Sequence, residues 1–216
     1  MKIPGQPRAS SPPLTEAQRN EHKRCWDKAN ALAEGLIQLH EHQHMPAPNW
    51  WARWKLKRAG LLYLKVLKLS PANWRAMWML GKTVQRLGDE RAAFDWFAKA
   101  WDLKPGNADV AREASLSAMN LGMGVMAVEY CEEALTIEPR NPGLLSNLAL
   151  SQLLAGRPQD ALETVREALE LDSQDTVTAA VHRLIHHVVV SKSAWPRSSA
   201  EMHEYCRRHR HELGDG

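Results

Sequence analysis

A pattern of small residues returns every 34 positions along the middle of this chain, and that period constrains the fold more than any other feature. With Trp74 as the first place of a unit, Gly81, Gly88, Ala93, Ala100 and Pro105 occupy places 8, 15, 20, 27 and 32. One period on stand Ser115, Gly122, Ala127, Ala134 and Pro139; two periods on stand Ala149, Gly156, Ala161, Ala168 and Ser173. Stacked helical hairpins leave such a trace, because each hairpin can bury its apolar face only against its neighbours.

The spacing has a physical cause. Ala93, Phe97 and Ala100 stand at i, i+4 and i+7, one stripe of a helix, and so do Ala127, Cys131, Ala134 and Ala161, Val165, Ala168. Small residues at both ends of that stripe let a second helix approach the first, which offers Gly81, Ser115 or Ala149 at the crossing point. Gly88, Gly122 and Gly156 suit the turn inside each hairpin, where a positive φ is often needed. Pro105 and Pro139 end the second helix and open the loop to the next unit. Each of these small residues has a structural role, and none needs a catalytic one.

Met77, Leu80, Gly81, Val84, Gly88, Ala93, Phe97, Ala100 and Pro105 match the tetratricopeptide repeat almost place for place, and the chain resembles that family. The unit at 108–141 matches best in its second half, with Ala111, Ala114 and Ala118 where bulky residues are usual. The unit at 142–175 matches through Leu145, Leu148, Ala149, Gly156, Ala161 and Ala168. Upstream, Ala59, Tyr63 and Pro71 fit places 20, 24 and 32 of a degenerate unit, whose first helix is not expected because Pro46 and Pro48 stand in its path. The resemblance implies an all-α fold: a right-handed superhelical array of antiparallel helix pairs, an α-solenoid, with flanking N- and C-terminal helices.

The expected organisation is a disordered tail over 1–14, rich in Pro and Ser, then an N-terminal helix and a break over 15–48. Thr15 caps that helix, which is read as running to about His42 with Cys25, Ala29, Leu32, Leu36 and Leu39 on one stripe. A degenerate repeat helix over 49–73 and repeats at 74–107, 108–141 and 142–175 follow, with C-terminal capping helices over 176–216. Val177, Ala180, Val181, Leu184, Ile185 and Val188 form the face expected to close the last repeat. The N-terminal segment lacks the apolar run of a signal peptide, and no stretch approaches the ~20 apolar residues of a membrane span. Cys25, Cys131 and Cys206 are odd in number and far apart, which suits free thiols and a cytoplasmic location.

Charge is uneven. Residues 1–70 carry 12 Lys and Arg against 5 Asp and Glu, whereas residues 71–175 carry 10 against 16. A chain so polarised can bind its own kind head to tail, or set an acidic groove beside a basic lobe. The basic part is concentrated around Trp50, Trp51 and Trp54, interleaved with Arg53, Lys55, Lys57 and Arg58. Two readings stand for this segment. Its tryptophans pack on the neighbouring helix while Leu56, Leu61, Leu64 and Leu67 form the core stripe, or the segment is a surface for lipid, phosphate or an acidic partner. The first is the expectation, so a membrane or nucleic acid is not the expected partner, although part of the tryptophan cluster is taken as a recognition surface.

The resemblance also implies a groove. In that family the concave face is lined by places 2, 5, 6, 9, 12 and 13 of each first helix. Carried over, these are Arg75, Trp78, Met79, Lys82, Gln85 and Arg86, then Asp109, Arg112, Glu113, Leu116, Met119 and Asn120. The third unit supplies Ser146, Asn147, Leu150, Leu153 and Leu154, where the C-terminal helix can instead cover the leucines. A groove that is basic and aromatic at one end and apolar at the other suits a peptide with an acidic end and an apolar end. The clamp by which some relatives hold a chaperone's C-terminal carboxylate is missing, since its places hold Trp78, Lys82, Glu113, Gly143 and Ser146.

Ten histidines raise the question of a metal. His40, His42 and His44 lie in the break after the first helix, and His182 and His186 are i, i+4, but neither group brings a carboxylate or thiolate in a recognisable pattern. No metal or other cofactor is expected. With no phosphate loop, nucleotide-binding glycine motif or nucleophile signature, neither is catalysis. The expected function is a non-enzymatic adaptor or co-chaperone that holds a peptide segment of a partner protein. The alternatives are a self-associating scaffold, or attachment to an anionic lipid or nucleic acid through residues 49–68.

Overall fold

The computed structural model describes residues 13–37, 45–191 and 194–214. Among them the chain forms α1 (Glu16–Ala33), α2 (Trp50–Leu69), α3 (Trp74–Arg86), α4 (Glu90–Leu103), α5 (Ala108–Asn120) and α6 (Gly124–Ile137). These are followed by α7 (Pro142–Leu154), α8 (Pro158–Leu171), α9 (Thr176–Ser191), α10 (Ser199–Arg208) and the short α11 (Arg210–Leu213). Consecutive helices pair as antiparallel hairpins, α1 with α2 through α7 with α8, and each hairpin stacks on the next.

Each first helix of the three full repeats starts on an asparagine. Asn73, Asn107 and Asn141, one period apart, accept through Oδ1 from the amides of Ala76, Val110 and Leu144 at 3.0–3.1 Å. They satisfy an amide that the helix itself leaves unpaired. Each of these hairpins turns on a glycine with positive φ, +95° at Gly88, +72° at Gly122 and +78° at Gly156. Between turn and cap, the crossing point is filled by complementary volumes. Gly81 sits so close to the Phe97 ring that a Cβ there would lie 2.5 Å from Cε1. Where Ser115 and Ala149 replace that glycine, the facing places hold the smaller Cys131 and Val165.

Two stretches depart from the sequence reading. The first helix stops at Ala33, because Gly35 adopts a left-handed φ of +67° and the chain turns there. Leu39, His40 and His42 lie outside the described residues, as do His44 and most of the expected N-terminal tail. The second departure concerns α2, a repeat helix without a partner in the sequence reading. It pairs with α1, brought back by the long connection after Ala33. Tyr63 donates to Asn30 Oδ1 at 2.7 Å and meets Trp26 edge to face at 5.8 Å. Burial pushes the Tyr63 phenol well above its ordinary value.

At the other end, Val181, Leu184, Ile185 and Val188 of α9 close the array against Ala149, Leu153, Ala161 and Val165. Val177 and Ala180, expected on that face, point to solvent, and the buried place goes to Thr178, whose hydroxyl bonds Asp175.

Candidate functional site

The helices α5 and α7 touch directly, whereas α6 and α8 stand further apart, so the first helices of the hairpins line the inner side of the curve. The carried-over groove residues stand on α3, α5 and α7, but they are not equally presented. Arg75 and Asn120 are exposed; Trp78, Lys82, Gln85, Arg86, Asp109, Arg112, Leu116 and Leu150 are half-buried. Met79, Glu113, Met119, Ser146 and Asn147 are buried. Met79 belongs to the core of the first hairpin, and Met119 packs with Phe94, Ala127 and Leu154.

Most polar members of this face are held by the protein itself. Lys82 Nζ donates to Glu113 Oε1 at 2.8 Å across α3 and α5, with both side chains only about a tenth exposed. Gln85 donates to Glu90 at 3.1 Å and Ser117 at 3.3 Å, while Ser117 donates to Glu90 at 2.7 Å. Arg112 pairs with Asp109 on its own helix. Arg86 donates to the carbonyls of Leu36 and Pro46, and so ties the α1–α2 connection to the end of α3. The Trp78 indole N–H is buried on this face without a hydrogen-bond partner.

The apolar end of the expected groove is occupied by the chain itself. After α9 the backbone crosses the hairpin turns: a Cβ on Gly156 would lie 3.0 Å from the Trp195 ring, and one on Gly122 would lie 3.2 Å from the Arg197 carbonyl. The helix α10 then lies against α5, and its Met202, Tyr205 and Cys206 pack on the cluster that holds Ala149, Leu153 and Val181. Leu150 joins that cluster. The repeat pattern gives no sign of this strap, although Met202, Tyr205 and Cys206 have the spacing of an apolar helical stripe.

A polar knot fastens the strap. His187 bonds Tyr205 Oη through Nδ1 at 2.8 Å and Glu212 through Nε2 at 2.6 Å, and His209 Nδ1 lies 3.5 Å from the same carboxylate. The atoms of His187, His209 and Glu212 fall within 4.8 Å of one another, the set among the described residues that could hold a metal ion. On α9, His182 and His186 stack at 5.9 Å and line one cavity with His187 and Glu212. The His187 hydrogen bond, with His209 nearby, holds the Glu212 carboxyl below its ordinary value of 4.5. A carboxylate depressed on folding stabilises the folded form above its unfolded value, and that contribution is lost as pH falls through the lower folded value. Acidification below the usual glutamate range is therefore expected to weaken the Glu212–His187 contact that helps hold residues 194–214. Hydrogen exchange against pH would show this as early loss of protection in α10, and Glu212→Gln should flatten the dependence.

The fold is that of a tetratricopeptide-repeat-like α-solenoid. Residues 118–185 match the tetratricopeptide repeat family model. The structure is similar to that of MamA, with a TM-score of 0.66 and 14% identity over 90% of this chain and 92% of that one. It is also similar to YrrB, described as a TPR protein with an unusual peptide-binding site, with a TM-score of 0.64 and 15% identity over 93% and 97% of the two chains. PilF of Pseudomonas aeruginosa gives a TM-score of 0.58 at 15% identity over 91% of this chain and 78% of that one. No curated protein matches the chain in sequence. The fold supports a protein–protein interaction module. Among the described residues, no helix is long and apolar enough to cross a membrane.

Proposed function

We propose that this chain is a non-enzymatic adaptor, co-chaperone-like in its mode of action, that holds a peptide segment of another protein on the inner face of α3 and α5. The observation that carries this reading is the uneven cover of that face. Met202, Tyr205 and Cys206 of α10 pack at its α7–α9 end, while towards the other end Arg75 and Asn120 are exposed and Trp78 and Arg112 half-buried. Arg75 and Arg112 suit carboxylates, and the flat Trp78 ring suits an apolar side chain beside them. The unusual peptide-binding site of YrrB supports the same use of the fold. The three free thiols suit a reducing, cytoplasmic setting.

Affinity capture from the native lysate tests the reading, comparing the wild type with Arg75→Glu combined with Arg112→Glu. The double variant also breaks the Arg112–Asp109 pair, so its helical signal is checked first and Arg75→Glu alone serves as a second variant; both are expected to fold and to lose the principal partner. An unchanged set of captured proteins would sink the groove reading. Capture of the protein alone would move the self-associating scaffold ahead of it.

A further inference from the structure

The helix α2 carries two stripes. One, Ala52, Leu56, Ala59, Tyr63 and Val66, is buried against α1 and α3. The other advances by alternating steps of four and three through Trp50, Trp54, Lys57, Leu61, Leu64 and Lys68, and every member is exposed. Trp50 is 76% exposed and Leu61 60%, values far from those of core residues. The expectation that Leu61 and Leu64 join the core, with the tryptophans packed on a neighbouring helix, therefore fails. Among the described residues, the α1 and α3 contacts take one side of α2 and leave the other exposed. Its six Lys and Arg residues have no Asp or Glu among them on the helix, and none forms a salt bridge among the described residues.

We infer that this outer stripe docks the protein, lying flat, on an anionic lipid bilayer surface. A helix of this length runs about 30 Å along the molecular edge. Tryptophan and leucine gain by entering the zone between headgroups and acyl chains, where the indole N–H still finds a polar partner. Lysine stems can lie beside them while the ammonium groups reach lipid phosphates. The alternation of apolar and cationic residues along one stripe is what separates this surface from others. A protein partner favours an interface core depleted in lysine, whereas here Lys57 sits between Trp54 and Leu61. A nucleic acid would stack bases on open aromatic faces. Trp51 and Trp54 instead stack on one another at 5.0 Å and 9°, with the Arg58 guanidinium 5.5 Å from the Trp54 ring centre. Leu61 and Leu64 would add nothing against a phosphate backbone. This surface lies apart from the inner face of α3 and α5, so the two readings stand or fall separately.

The test is co-sedimentation of the full chain with vesicles of phosphatidylcholine alone and of phosphatidylcholine mixed with phosphatidylglycerol, over a salt series. Binding is expected only to the mixed vesicles, weakening as salt rises. Removing Lys57, Lys65 and Lys68 as glutamines should lower partitioning about fivefold per lysine, about a hundredfold together. Trp50→Ser with Trp54→Ser and Leu61→Ser should lower it by roughly tenfold or more. All six positions are exposed, so both variants should keep the wild-type helical signal and melting temperature. No binding to the mixed vesicles at low salt, or binding unchanged in either variant, would overturn the inference. So would tighter binding to a single-stranded oligonucleotide, or self-association in solution that the Trp50/Trp54/Leu61 variant abolishes, since the occupant would then be a nucleic acid or a second copy.

Discussion

Replacing Phe97 with alanine is expected to lower folding stability by about 3–5 kcal/mol. The ring is fully buried between α3 and α4, and its edge fills the space that Gly81 leaves by having no side chain. In a repeat array the loss also weakens the interfaces on both sides, since each hairpin is supported mainly by its neighbours. Denaturant titration with calorimetry gives the magnitude. A second substitution tests the cause. Gly81→Ala alone should cost about 1–3 kcal/mol by overpacking, because the new methyl meets a rigid ring. In the Phe97→Ala background the same methyl enters the vacated space, and the two costs should fall well short of adding. Strict additivity would show that the Gly81–Phe97 contact does not set the helix crossing.

Glu113→Ala is expected to cost about 3–5 kcal/mol, because it strands the Lys82 ammonium where water scarcely reaches it. The reciprocal Lys82→Ala should be comparably harmful. Removing both charges at once, as Lys82→Met with Glu113→Leu, should restore most of the loss, since apolar residues of similar volume avoid the desolvation that the pair must overcome. Thermal melts of the three variants decide the matter. Single-variant losses below about 1 kcal/mol would mean that the pair behaves like a solvated surface bridge. The double variant is also informative about binding. If it folds normally and still captures the same partners, Lys82 acts as a strut between α3 and α5 and contributes no charge to recognition.

These two sites show what a sequence of this kind discloses. Gly81, Phe97 and Gly88 have roles legible in advance because their sizes recur at a fixed period and each size has one mechanical use. Asn73, Asn107 and Asn141 carry the same information one place ahead of each unit and mark the helix starts. What periodicity does not reveal is which of two apolar stripes on α2 faces inward. Leu56 and Leu61 are equally apolar and both lie on helical stripes, so spacing alone does not separate core from surface. The partner of α2 is hidden for a different reason. Directly upstream, where a first helix belongs, stand Pro46 and Pro48, whereas the chain reaches back across the long connection to α1. The groove is legible as a set of places, but Lys82, Gln85 and Arg86 are engaged by Glu113, Glu90 and the Leu36 carbonyl, contacts that only the assembled array brings about. The packing of Met202 and Tyr205 on the cluster that holds Ala149 and Leu153 joins residues about 50 apart in sequence, to which a pattern of 34 is blind.

The strap from Trp195 through α10 also changes how the molecule can come apart. A plain array behaves as a one-dimensional chain of units, each coupled to the next, and it unravels from whichever end is weaker. By touching the turns of the third and fourth hairpins, α5 and the cluster around the closing helix α9, this segment joins α9 to a hairpin it does not adjoin. The C-terminal half is thus closed on itself, and peeling α9 away first requires lifting the strap from two hairpins at once. Among the described residues the first hairpin has no such closure, and its α1 is held chiefly through α2. Fraying therefore begins at the amino-terminal end, while the half built around α5–α10 opens as a single cooperative block.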